Sequence, residues 1–179
     1  MRNITVKQYA KKPDIRYASL LSSMKPKNLF AGKVSKIGLL PYLDVIHWYT
    51  KLGTIKDFDG MLELFTFIFD ISDDDFWNEN VVNYFAAKNF IEKDFKQRQE
   101  KEAKLLNSSG GDALKWKAAG GESLRNYSPV MPLDDLCKRY GGYPFDRGKK
   151  PYNEVLYLLT MITRKERVLA NYQKLMNEK

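Results

Sequence analysis

The residues able to perform acid–base, nucleophilic or metal chemistry are few and scattered in this chain. One histidine, His47, and one cysteine, Cys137, occur among the 179 residues. Apart from Asp44 near the histidine, neither has a base or a further ligand at the spacing of a catalytic pair or a structural zinc site. Three aspartates at 73–75 are suited to a divalent cation, but the start of a helix also favours carboxylates. The sequence therefore predicts no catalytic residue, no metal and no cofactor, and we expect that the protein is not an enzyme.

A long helix is the element around which we expect the rest of the chain to be organised. Ser72 and Asp75 have the types and spacing of a capping box at a helix N-terminus. No glycine or proline follows from Asp73 to Leu106. Apolar residues recur at helical spacing up to Phe95, and beyond it the side chains are mostly charged or polar. The pattern predicts one helix over 73–106, with its first half in the core and its second half in solvent or at a partner.

The remaining segments predict an all-α protein that folds as one domain, because the chain length is sufficient for a single core. We expect an extended N-terminal arm over 1–13, a helical core over 14–106, a long glycine-rich loop over 107–131 and C-terminal helices over 132–179. The last helix carries a predicted apolar stripe of Val155, Leu158 or Leu159, Ile162, Leu169, Tyr172 and Met176. The predicted fold is an irregular helical bundle around one long central helix.

Charges of opposite sign are separated along the chain. Residues 1–56 carry eleven Lys or Arg and two Asp, whereas residues 57–79 carry eight acidic residues and no basic one. Such blocks can dock a subunit head to tail on a second copy or on a neighbour. They are equally compatible with solvated surface or with pairing inside the monomer. The apolar runs are too short to cross a bilayer and the N-terminus does not read as a signal peptide, so we expect no membrane partner.

Nine residues are candidates for an assembly interface. Four lysines surround one aromatic residue in the loop over 25–36, three aspartates lie at 73–75, and one tryptophan in the glycine-rich loop is costly to leave in water. Lysines interleaved with an aromatic residue are also typical of nucleic-acid contacts, so a basic nucleic-acid-binding accessory protein is an open alternative. The nine candidates are Lys25, Lys27, Phe30, Lys33, Lys36, Asp73, Asp74, Asp75 and Trp116.

The order of these parts is similar to that of a class of virion proteins. A Leu40-Pro41-Tyr42 helix start, the segment from Trp116 to Gly120, and Leu133–Tyr140 followed by Pro151–Leu156 carry the likeness. They resemble small helical virion proteins of tailed bacteriophages, in particular the ring or head-to-tail connector proteins of crAss-like phages.

This resemblance implies a multi-copy, non-catalytic ring subunit between portal and tail. Its expected partners are copies of itself and neighbouring portal or tail proteins, and its expected location is the virion, after assembly in the host cytoplasm. A tail-assembly chaperone or a cargo protein of the virion is an alternative within the same class. The resemblance carries over no individual site residues.

Overall fold

The computed structural model describes residues 4–106 and 117–177, except the side chains of residues 15 and 125. Within these ranges the chain forms helices and no strand, which confirms the predicted all-α class. The α-helices are α1 Val6–Lys11, α2 Ala18–Ser22, α3 Tyr42–Leu52, α4 Phe58–Phe69, α5 Asp73–Asn78, α6 Val81–Leu106, α7 Met131–Tyr140, α8 Pro144–Gly148 and α9 Tyr152–Asn177. Short 3₁₀ helices lie at Ile15–Tyr17, Ile37–Leu39 and Gly121–Tyr127.

The chain separates into two compact units. Unit 1 consists of residues 1–37 and 48–99, and unit 2 of residues 38–47 and 100–179. Of the three points where the chain passes between the units, one lies in the 3₁₀ helix Ile37–Leu39 and two lie inside α3 and α6. Linkers between domains are normally exposed, flexible segments, and a continuous helix at two of these points gives the sequence no such signal.

The single helix predicted over 73–106 is interrupted between α5 and α6. Glu79 is extended, with φ −69° and ψ 155°. The N-terminal segment pairs with this interruption, because the Val6 amide donates to the Glu79 carbonyl at 2.9 Å and the Val81 amide donates to the Ile4 carbonyl at 2.9 Å. A contact between residues far apart in sequence therefore overrides a stretch that contains no helix breaker.

The segment predicted as an extended arm over 1–13 is, in its described part, a component of unit 1. Thr5 and Gln8 form a capping box at the start of α1, a spacing visible in the sequence. Val6 is fully buried, and α1 packs against α5. The N-terminal segment therefore contributes to the core of unit 1 and is not a free arm.

The core of unit 1 is a cluster of aromatic side chains. Phe65 and Phe69 come from α4, Phe76 from α5 and Tyr84 from α6, and all four are buried. The Phe65 ring lies 5.2 to 5.6 Å from the rings of the other three, measured between centroids. Aromatic pairs at these separations add to the stabilisation that comes from burial, so this cluster joins the three helices.

The core of unit 2 forms where α3 and α9 begin. The rings of Tyr42 and Tyr152 stack with their centroids 5.7 Å apart. The Tyr42 amide donates to the Lys150 carbonyl at 3.0 Å, and the Tyr152 amide donates to the Leu40 carbonyl at 2.8 Å. These bonds satisfy amides at the starts of two helices and fix the first turn of α9 on the body of unit 2.

Candidate assembly surfaces

The lysine-bearing loop over 25–36 is a fixed structure in unit 1. Phe30 and Lys33 exchange two backbone hydrogen bonds of 2.9 and 2.8 Å. The two residues between them have positive φ, 46° at Ala31 and 75° at Gly32, as in a type I′ turn. The Ala31 amide also donates to Glu79 Oε2 at 3.1 Å. The turn is therefore tied to the interruption between α5 and α6.

The structure places the candidates of this loop in different environments. Phe30 is 1% exposed and its ring lies 4.7 Å from that of Phe65, so it is a core residue and is not accessible for a partner or for base stacking. The Lys33 ammonium group donates to the Asp70 carbonyl and lies 3.9 Å from the Asp70 carboxylate. The side chains of Lys25, Lys27 and Lys36 are exposed and remain available as a basic surface.

Among the acidic candidates at 73–75, Asp75 has hydrogen-bond partners at the start of its own helix. Asp75 Oδ2 accepts hydrogen bonds from the Ser72 amide at 3.1 Å and the Ser72 hydroxyl at 2.8 Å. The hydrogen bonds from Ser72 hold the pKa of Asp75 below its ordinary value. The side chain of Asp75 is nevertheless exposed, as are those of Asp73 and Asp74. In residues 4–106 and 117–177, no group of three or more His, Cys, Asp and Glu side chains is placed to hold a metal ion. Trp116 lies outside the described residues.

A partly buried polar pair in unit 2 joins α3 to the end of α6. The Tyr42 hydroxyl donates to Glu102 Oε1 at 3.0 Å. Burial raises the pKa of Glu102, and the hydrogen bond from Tyr42 partly opposes that rise. Burial, together with the neighbouring carboxylate, also raises the pKa of Tyr42. Because Tyr42 stacks on Tyr152, we interpret this pair as a structural contact of the core.

The last helix, α9, carries apolar residues on two opposite faces. One face is buried in unit 2 and consists of Tyr152, Val155, Leu156, Leu159 and Ile162. The other face is exposed and begins at Tyr157, about 180° around the helix from the first at 100° per residue. The sequence predicted one apolar stripe, because it joined Ile162 of the buried face to Leu169, Tyr172 and Met176. Those three residues are exposed.

We call the solvent-exposed face of α9 the exposed stripe. It is defined as Tyr157, Met161, Val168, Tyr172 and Leu175. Its members are between 41% and 70% exposed, and Leu169 and Met176 flank it. Their spacing of four, seven, four and three residues keeps them on one side of a helix. At 1.5 Å per residue the stripe is about 27 Å long. Every residue from 164 to 177 is exposed, so the second half of α9 exposes its apolar side chains to solvent.

Two basic residues interrupt the exposed stripe at its centre. Arg164 and Lys165 occupy the turn between Met161 and Val168, three or four residues from each, which places them on the same side of the helix. At its N-terminal end the stripe borders a groove of about 540 Å³. Leu105 of α6 and the exposed stripe residues Tyr157 and Met161 are among its lining residues.

A larger cavity of about 980 Å³ lies on the other side of α9 in unit 2. Its described lining includes Leu124, Met131, Leu159 and Ile162. Arg139 and Glu166, which also line it, pair with each other. The cavity therefore has an apolar surface beside the ion pair of Arg139 and Glu166, whose opposite charges compensate each other.

Comparison with protein-family models, with curated proteins and with solved structures gives no match to this chain. The described helices include none with the length and apolar character required to span a membrane. The functional interpretation therefore depends on the surfaces described above.

Proposed function

We propose that this chain is a non-catalytic structural subunit of a bacteriophage particle, a multi-copy ring or connector protein at the head–tail junction or tail, which acts through protein–protein assembly. The observation that carries the assembly role is the exposed stripe of α9. Apolar side chains that remain uncovered along one side of a helix are typical of a surface that another protein covers. The place in a phage particle is supported by the resemblance in the order of sequence features.

The separated charges support contacts between copies of the subunit. Asp73 and Asp74 are exposed in the acidic block, and Lys25, Lys27 and Lys36 are exposed in the basic one. A contact between two different patches on successive copies is heterologous, and such contacts generate closed rings when the rotation between copies closes. We therefore assign these five side chains to the subunit–subunit contact.

The test is the mass of the purified protein by light scattering over a series of salt concentrations. We expect a defined oligomer of the 20.8 kDa chain, or a monomer that oligomerises when a portal or tail protein is added. Because exposed charges are screened by salt, the contact is expected to weaken as ionic strength rises. A protein that is monomeric at every salt concentration, does not respond to such partners and copurifies with nucleic acid would contradict the proposal.

The structure allows the charged contact to be tested without disturbing the fold. The test variant replaces Lys25, Lys27 and Lys36 by Gln and retains Lys33, whose ammonium group binds the Asp70 carbonyl. A control variant with the same loss of charge replaces Lys93, Lys96 and Lys104, which are exposed on α6. We expect a smaller oligomer for the test variant alone. Equal oligomer masses for both variants would remove the basic loop from the contact.

A further inference from the structure

We infer that the exposed stripe of α9 binds an acidic amphipathic helix of a different protein. The inference rests on the proposed assembly function, to which it adds the chemical class of the partner and the surface that receives it. The surface is the exposed stripe, from Tyr157 to Leu175, together with Arg164 and Lys165 at its centre. An amphipathic helix is the natural occupant of an apolar strip of this length, because its own apolar residues recur with the same period.

The shape of the surface favours a helix over a flat partner. At Tyr157 and Met161 the stripe forms one wall of the groove whose other side includes Lys101 and Leu105 of α6. A partner there must fit between two helices of unit 2. A rod about 10 Å wide meets that requirement, and helix-in-groove binding uses such a geometry.

The charges at the centre of the stripe determine which helix fits. Lys165 and Arg164 lie in the turn where a continuous apolar seam would have an apolar side chain. When two copies of α9 pair about the middle of the stripe, in either direction, these cations approach the same cations of the other copy. Like charges placed opposite each other across an interface oppose association, so the stripe selects against a second copy of itself along its full length.

A partner with a carboxylate at the matching position gains a charge-assisted contact in the middle of an apolar seam. A single polar position of this kind fixes register and partner choice in helix pairs. The composition of the surrounding segment also favours an acidic partner. Residues 164 to 177 include one acidic residue, Glu166, and four basic residues, Arg164, Lys165, Arg167 and Lys174. The complementary helix is therefore acidic.

The experiment measures the binding of a synthetic helical peptide to the full-length protein by fluorescence anisotropy. The peptide has about three heptads with leucine at positions a and d, glutamate at e and g, and one glutamate in place of the central leucine. A second peptide carries lysine at every glutamate position. We expect the acidic peptide to bind and the basic peptide not to bind.

A matched pair of variants locates the contact on α9. Lys165 and Lys174 are nine residues apart, which places them on opposite sides of the helix at 100° per residue. We expect Lys165→Glu to weaken binding of the acidic peptide by at least about tenfold and to permit binding of the basic one. Lys174→Glu makes the same chemical change away from the stripe, and its expected effect is no more than about twofold. Circular dichroism of both variants checks that the helix is retained.

Several results would overturn the inference. These are no binding of the acidic peptide, equal binding of the two peptides, and equal effects of the two substitutions. Binding of vesicles that contain phosphatidylglycerol, lost in Lys165→Glu while neither peptide binds, would identify the stripe as a lipid contact and would also overturn it.

The oligomer mass, measured in the same samples, separates this inference from the proposed function. An oligomer that persists in Lys165→Glu while peptide binding is lost supports both. An oligomer that dissociates in Lys165→Glu would show that the stripe is a contact between copies, so the inference would fail and the assembly function would stand. A monomer that binds the acidic peptide through Lys165 and does not oligomerise when a portal or tail protein is added supports the inference and counts against the ring.

Discussion

Replacing Phe30 by alanine is the most informative perturbation of unit 1, because it distinguishes a core residue from an interface residue. The Phe30 ring is 1% exposed and its centroid lies 4.7, 5.8 and 6.0 Å from those of Phe65, Phe69 and Phe76. Truncating a buried phenylalanine to alanine lowers the free energy of unfolding by about 3–5 kcal/mol. We expect a value in that range, because the side chain contacts three rings of the aromatic cluster.

The assay is urea unfolding followed by circular dichroism. With a denaturant dependence of about 2 kcal/mol per molar urea, a loss of 3–5 kcal/mol lowers the midpoint by about 1.5–2.5 M. Phe30→Leu retains most of the volume and is expected to cost about 1.5 kcal/mol or less. Val34→Ala, at an exposed position of the same loop, is expected to change the free energy of unfolding by no more than about 0.5 kcal/mol.

An unchanged midpoint for Phe30→Ala would refute this reasoning. If that variant unfolded at the same urea concentration as the original chain and instead formed a smaller oligomer, Phe30 would have to be an interface residue, as the sequence pattern suggested. Equal losses for Phe30→Ala and Val34→Ala would likewise contradict the core assignment, because the two side chains differ in burial.

Four further perturbations test other elements of the structure. Ala31→Asn is expected to raise the free energy of unfolding by about 0.5–1 kcal/mol in thermal denaturation, because asparagine tolerates the positive φ of 46° better than alanine. Gly148→Ala is expected to lower it by about 1–3 kcal/mol, since a Cβ there runs into two leucine side chains, whereas Gly53→Ala has open space and is expected to change it by no more than about 0.5 kcal/mol. The pKa of Glu102 is raised by burial, so the original chain loses stability as pH rises through that pKa. Glu102→Gln is therefore expected to be more stable than the original chain at about pH 7. At about pH 3, below the ordinary carboxyl pKa, the two chains are expected to be equally stable, and urea unfolding at both pH values measures the difference. Truncation after Thr163 removes exposed side chains, among them the Glu166 partner of the Arg139–Glu166 ion pair. The expected loss in thermal denaturation is about 1 kcal/mol or less, and a loss of several kcal/mol would show that the removed segment packs against the fold.

The sequence predicted those elements whose signals are local. The capping box of Ser72 and Asp75 marks the start of α5 as predicted. Gly141 ends α7 with φ 71°, a backbone conformation that favours glycine. Proline fixes φ near its helical value, and Pro151 directly precedes the last helix, which begins at Tyr152. In each case the determining residues lie within one or two turns of the boundary.

The features that the sequence did not predict depend on residues far apart in the chain. The interruption at Glu79 requires the backbone of Ile4 and Val6, and no local pattern contains that information. The loop lysines around Phe30 suggested a binding surface, but Phe65 from α4 covers the ring. Local pattern fixes which residues are apolar, and tertiary packing decides which of them are covered.

Helical periodicity alone also does not distinguish a covered face from an uncovered one, and α9 shows the consequence. Its first half is held by the buried face from Tyr152 to Ile162, which overcomes the unfavourable nucleation of a helix. Its second half, from Arg164 to Asn177, then needs only propagation and contains no glycine or proline. The packed first half therefore keeps the second half helical, so the exposed stripe continues beyond the buried face. A partner helix that binds this surface meets a partly pre-ordered strip, so less conformational entropy is lost on association than for a disordered tail, and its selection is left to the cations at the centre of the stripe.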